Sequence, residues 1–188
     1  MTRHERKKPQ LELWNEKKAF TTGGGKASSH AKCKRIVSTK LPIHLVLKSS
    51  LAKGPLTMLK PQNHSAVDRI LVNCGRKFGV HIYKKVIMGN HLHLVIKIHN
   101  RSEFAKFLKS ASSLIAQHIL DLKRGQKSEL LATLQRGFWD ARPFTRIIQS
   151  WRGDYQRVLK YLARNIIQAY GFDGLDLWAD TGPLKWAG

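Results

Sequence analysis

Acidic residues are scarce in this chain: 12 Asp and Glu stand against 34 Lys and Arg, a formal net charge of +22 over 188 residues. A surplus of that size exceeds what solubility needs and implies a polyanionic partner, nucleic acid before any other. Cysteine is nearly absent as well. Cys33 and Cys74 lie far apart in sequence, so a disulfide framework is not indicated. No apolar run is long enough to span a bilayer and no segment has the basic amphipathic face of a lipid-lying helix, so no membrane partner is expected. The basic start, Met1 to Gln10, leads into Glu12, Asn15, Glu16, Lys17 and Lys18 instead of an apolar signal core, which argues against export. A cytoplasmic, nucleoid-associated protein is the expectation. A nucleotide-binding phosphate loop is missing too: Thr22-Gly23-Gly24-Gly25-Lys26 lacks both the spacing and the preceding strand that such a loop requires.

What is present fits one domain of ordinary size with an appended arm. Residues 1–40 are polar, strongly basic and interrupted by glycines, and read as an N-terminal arm that is partly ordered; residues 41–188 read as the functional domain. Within it, Leu41 to Lys48 alternates as a strand with Ile43, Leu45 and Leu47 on its core side. Ser65 to Phe78 has helical spacing, and Gly79 is a natural stop. Val80 to Met88 reads as a second strand, turned by Gly89-Asn90 into a third that runs to Ile98. A longer helix starts at Arg101 or Ser102, with Phe104, Phe107, Leu108, Ala111, Leu114 and Ile115 at intervals of three and four. Lys123 to Gln135 is a charged connection, and Phe138 to Ile148 an irregular edge strand, because proline at 143 suits an edge. Asp154 is placed to N-cap a last helix that ends before Gly171. This order is packed most simply as an α+β, ferredoxin-like fold, a four-stranded antiparallel sheet with helices on one face.

The densest chemistry lies in the third strand. Side chains alternate along a strand, so His91 and His93 share a face with Val95 and Lys97, while Leu92, Leu94, Ile96 and Ile98 face the core. Two imidazoles on one rigid face suit a divalent metal whose third ligand comes from a neighbouring element. The plainer alternative is two histidines on the solvated side of a sheet. His44 falls on the face of its own strand from which it can approach the pair. On the last helix, Val158, Leu162 and Ile166 form the stripe that packs on the sheet, with Tyr161 and Asn165 one turn apart beside it and Arg157, Arg164 and Gln168 nearby. Alone, this is an amphipathic helix with a half-buried tyrosine. Combined with the histidines it has a chemical logic, in which a metal held by imidazoles and the Asn165 oxygen polarises a phosphodiester that Tyr161 attacks. Tyr155, six residues earlier, lies about 120° round the helix from Tyr161 and has no amide four residues on.

Asn90-His91-Leu92-His93-Leu94 and Tyr161-Leu162-Ala163-Arg164-Asn165 together resemble the motifs of the single-tyrosine HUH transposases, especially the repeat-associated tyrosine transposases. The likeness runs from about Pro42 to about Ile167; Ile166 stands where the family usually has proline. The resemblance implies His91, His93 and Asn165 as metal ligands and Tyr161 as nucleophile. It implies cleavage of single-stranded or hairpin DNA through a 5′-phosphotyrosine, with Mg²⁺ or Mn²⁺ as cofactor and no nucleotide, by a monomer or homodimer. DNA contacts are expected from His44, Lys84, Lys85, Lys97, Arg142, Arg146, Arg157 and Arg164, with Trp14, Trp139, Trp151 or Tyr83 stacking on bases. Two other readings remain at this stage: a replication or transfer nickase with the same histidine pair, and a non-catalytic nucleic-acid-binding sheet.

Overall fold

The computed structural model describes residues 21–22, 36–123 and 125–170, so most of the N-terminal arm, Trp14, the glycine run at 23–25 and the chain from Gly171 onward lie outside the described residues. Its elements are β1 (Thr21–Thr22), β2 (Ile43–Lys48), α1 (Pro61–Lys77), β3 (His81–Ile87), β4 (His91–Lys97), α2 (Arg101–Ile119), α3 (Glu129–Thr133), β5 (Phe144–Ile147) and α4 (Gln156–Tyr170). The sheet order is β1-β5-β2-β4-β3, with every adjacent pair antiparallel. Setting aside the two-residue β1, this is the ferredoxin-like arrangement expected, with the first strand of the core placed centrally between the third and the fourth.

Two layers of apolar side chains hold it. Ile43, Leu45 and Leu47 of β2 and Leu92, Leu94 and Ile96 of β4 meet Val67, Leu71 and Cys74 of α1 and Phe104, Phe107, Ala111 and Ile115 of α2. The opposite face of the sheet carries a second, smaller core in which Val86 and Val95 pack under Tyr155, Val158 and Leu162. The alternation of β4 therefore separates two cores, and α4 roofs the histidine face while α1 and α2 cover the other. Burying Val95 and Leu162 completely ties α4 to the sheet, each such side chain contributing about 1.5–3 kcal/mol relative to exposure.

The boundaries differ from the sequence reading where local chemistry overrode periodicity. Helix α1 starts a turn early, because Pro61 at the first helical turn needs no hydrogen-bond partner for a missing N–H. It stops at Phe78, followed by Gly79 at φ +59, a left-handed conformation that glycine accepts without strain. The stretch expected as a long edge strand pairs only over Phe144–Ile147, and β1 lies against it, so β5 is not the free edge. Residues ahead of it turn: Ser49 Oγ donates to the Phe138 carbonyl and Trp139 Nε1 to that of Ser112. The connection before it contains α3, capped by Ser128. Asp154 is not an N-cap. Ser150 Oγ instead accepts from Gly153 N and Asp154 N, starting a π-helical turn over Trp151–Tyr155 that runs into α4. Asp154 accepts from Gln149 N and pairs with Arg146 of β5 at 3.3 Å, anchoring the start of α4 to the sheet.

Candidate active site

The site is assembled from four elements. Antiparallel register sets Val46 of β2 opposite His93 and Lys48 opposite His91, while β5 sets Phe144 opposite Val46. All of these point to the side roofed by α4. There they enclose a cleft of about 440 Å³, whose walls include His44, Lys48, Asn90, His91, His93, Asp140, Arg142, Phe144 and Tyr161.

Helix α4 brings its two motif residues onto the histidines. The Tyr161 ring lies edge-on to His93, with centroids 5.5 Å apart and planes at 86°, and Asn165 Nδ2 is 3.4 Å from His93 Nε2. Tyr161 is 41 % exposed, so its phenol opens into the cleft although the helix is packed through the neighbouring Leu162. The α4 stripe makes this possible: Val158 and Leu162 are drawn into the second core, which leaves positions 161 and 165, one turn apart, above the imidazoles. Tyr155 does the opposite. It is buried against Trp151 at 4.2 Å between centroids, and burial followed by Tyr83 pushes its phenol pKa up.

The imidazoles are held from behind. Asn90 Oδ1 accepts from His91 Nδ1 at 2.7 Å, which leaves His91 Nε2 as its ring's lone-pair nitrogen. His44 Nε2 and His93 Nδ1 are 3.1 Å apart and the two rings are stacked. Burial, then the charge of Arg146, lowers the pKa of His44 to about 4. Burial, then His44 and His91, lowers that of His93 to about 3. His91 is lowered as well, by burial and then by Lys48. Every cause acting on the three imidazoles opposes protonation, so the neutral form is favoured.

Neutral imidazole is the metal-ligating form. Among the described residues, no three His, Cys, Asp or Glu side chains gather closely enough to hold a metal ion. A divalent ion here would therefore take the Asn165 amide beside the two imidazoles. The donor set fits, because the amide already faces His93 Nε2 and a half-turn about its C–C bond presents oxygen there.

The expected DNA contacts divide. Arg142 lines the cleft, and Lys84 and Arg164 are exposed outside it. His44 lines the cleft but is 5 % exposed, with its Nε2 3.1 Å from His93 Nδ1, so it lies at the floor of the site. Lys85 projects to the other face, where it pairs with Asp68 of α1 at 2.5 Å, and Lys97 donates to the Lys40 carbonyl at the far end of β4. Arg146 and Arg157 both approach Asp154, so their charge is spent in part on holding α4. Of the expected stacking residues, Trp139 packs against the α-helical core, while Tyr83 and Trp151 meet edge-on at 5.8 Å. Phe144 and Asp140 had no signal of their own in the sequence. Lys48 was recoverable from alternation alone, since it shares the His44 face of β2.

A family model described as "Transposase IS200 like" matches residues 38–165. Among solved structures, a REP-associated tyrosine transposase bound to a REP hairpin superposes with a TM-score of 0.53 at 13 % identity, covering 85 % of this chain and 92 % of that one. A chain from Deinococcus radiodurans R1 assigned as a transposase aligns with a TM-score of 0.43 at 14 % identity, over 66 % of this chain and 90 % of that one. No curated protein matches. Among the described residues no helix is long and apolar enough to cross a membrane.

Proposed function

This chain belongs to the family of IS200-like transposases, and on that premise we propose that it is a metal-dependent, single-tyrosine DNA strand transferase acting on single-stranded DNA beside a hairpin. The observation that carries the reading is the placement of Tyr161 and Asn165 of one helix over His93 of the strand below, 5.5 Å between rings and 3.4 Å from amide to imidazole. His91, His93 and Asn165 would hold Mg²⁺ or Mn²⁺. The bound ion would neutralise charge on a non-bridging phosphate oxygen and favour attack at phosphorus.

The remaining chemistry belongs to the chain. The Tyr161 oxygen attacks the scissile phosphorus, the bond from phosphorus to the 3′-oxygen breaks, and the products are a 5′-phosphotyrosine and a free 3′-hydroxyl. The phenol loses one proton and the 3′-oxygen gains one. Because one phosphodiester replaces another, bond energy is conserved and the reverse attack by a 3′-hydroxyl rejoins strands without a nucleotide. Exposure of the phenol in an open cleft suits a polymer that must enter and leave. Lys48 and Arg142 on the walls, with a surplus of cations across the chain, provide the electrostatic attraction for a phosphate backbone. A hairpin as substrate rests on the neighbouring REP-associated transposase, which is bound to one.

Labelled hairpins with single-stranded flanks, incubated with the protein in Mn²⁺, in Mg²⁺ and in chelator, test the reading. A denaturant-resistant protein–DNA adduct is expected in either metal, absent in chelator and absent in Tyr161→Phe, with hairpin affinity retained in the variant. Tight binding without an adduct in either metal would replace the enzyme by a binding module.

A further inference from the structure

The histidine that β2 contributes has no part in the ligand set just described, yet it is buried directly beside it. His44 lies on the face shared with His91 and His93, is almost fully buried and contacts His93 through a ring nitrogen. A buried polar side chain is costly unless paired, so one of the two nitrogens in this contact carries a hydrogen and the other accepts it.

The proton positions follow from the partners. In the metal reading His93 Nε2, the nitrogen that faces Asn165 at 3.4 Å, supplies the lone pair of its ring. His93 Nδ1 then carries the hydrogen and donates it to His44 Nε2 at 3.1 Å, leaving the His44 hydrogen on its own Nδ1. We propose that His44 is a positioning residue for His93: by accepting from Nδ1 it selects the tautomer and ring orientation that present Nε2 toward Tyr161 and Asn165, as outer-shell acceptors do for metal-bound imidazoles. This rests on the reading of His93 as a metal ligand. The stacking of the two rings at 19° restricts rotation of His93 in the same sense, and the Phe144 ring lies edge-on to His44 at 6.5 Å. His91 has its own equivalent in Asn90 Oδ1, so both imidazoles are oriented through Nδ1. The two supports come from different places, one from the residue just before β4 and one from across the sheet.

The test has two readouts on the full-length protein. The first is the imidazole ¹⁵N spectrum in chelator: His93 of the natural chain is expected to show a protonated Nδ1 and an unprotonated Nε2, and the reverse tautomer overturns the proposal without any variant being made. The second is Mn²⁺ affinity, read from free Mn²⁺ by electron paramagnetic resonance. His44→Leu removes the acceptor and is expected to weaken Mn²⁺ binding by about 10–100-fold and to mix the His93 tautomers. His44→Gln, whose side-chain oxygen reaches the place of Nε2, is expected to restore most of both. Unchanged Mn²⁺ affinity and tautomer in His44→Leu overturn the positioning role while leaving the metal reading intact. A natural chain that binds no Mn²⁺ overturns the metal reading itself, a result distinguishable because the ¹⁵N spectrum does not depend on metal.

Discussion

Acid should unfold this domain through two buried histidines of the candidate site before it titrates the ordinary carboxylates. His44 and His93 are 5 % and 1 % exposed, with pKa values lowered from the ordinary imidazole value of 6.5 to about 4 and about 3. In the unfolded chain both bind a proton near pH 6.5, while the native state refuses it. Between pH 6.5 and those folded values the unfolded state holds more protons, so stability falls as pH falls, and the loss levels off only below the folded pKa values. At one pKa unit per 1.36 kcal/mol, lowering the pH from 7 to 5 costs about 2 kcal/mol for each imidazole, or about 4 kcal/mol for the pair. That is a large share of the stability of about 5–15 kcal/mol typical of a domain. Urea unfolding in chelator at half-unit pH steps, followed by tryptophan fluorescence, measures it. The same series on His44→Leu should show about half the slope. A stability that is flat from pH 7 to 5 in the natural chain would refute the argument that these imidazoles are buried without a compensating negative charge.

Two further outcomes follow from the way α4 is attached. Leu162→Ala removes a 1 % exposed side chain from the small core beneath the site, and is expected to cost about 2–5 kcal/mol and to depress adduct formation as Tyr161 and Asn165 lose their register; equal adduct yield at full folding would show that the site does not depend on this packing. Asp154→Ala strips Arg146 of its carboxylate, where both side chains are under 20 % exposed at 17 % and 16 %, and removes the acceptor of Gln149 N. A loss of about 2–3 kcal/mol in the urea midpoint analysis is expected, with Asp154→Asn falling between, and a change under about 0.5 kcal/mol would mean the pair is solvated.

Local pattern carried the topology of this protein and the grouping of its candidate site residues. Alternation in β4 put His91 and His93 on one face, and helical spacing put Tyr161 and Asn165 one turn apart, because both statements depend only on the periods 2 and 3.6 of regular backbone. The order of elements led to the ferredoxin-like sheet in the same way, since few packings accept a strand-helix-strand-strand-helix-strand chain. Boundaries set by single hydrogen bonds escaped that logic. The choice of Ser150 over Asp154 as the cap depended on a π-helical turn that lets Asp154 reach Arg146 on a different strand.

Charge was the least legible property, because a lysine or arginine reads alike in sequence whether it faces DNA, a carboxylate or a carbonyl. Only packing separated Arg142 in the cleft from Lys85, Arg146 and Arg157 near acidic partners. His44 is the sharpest case. Its sequence fixes only its face, and 49 residues separate it from His93. Strand pairing places β2 beside β4, and the roof of α4 excludes water from both rings. Sequence periodicity by itself determined which side chains share a face; tertiary structure decided which of them meet, because pairing across a sheet and desolvation under a helix are relations between segments that no single segment contains.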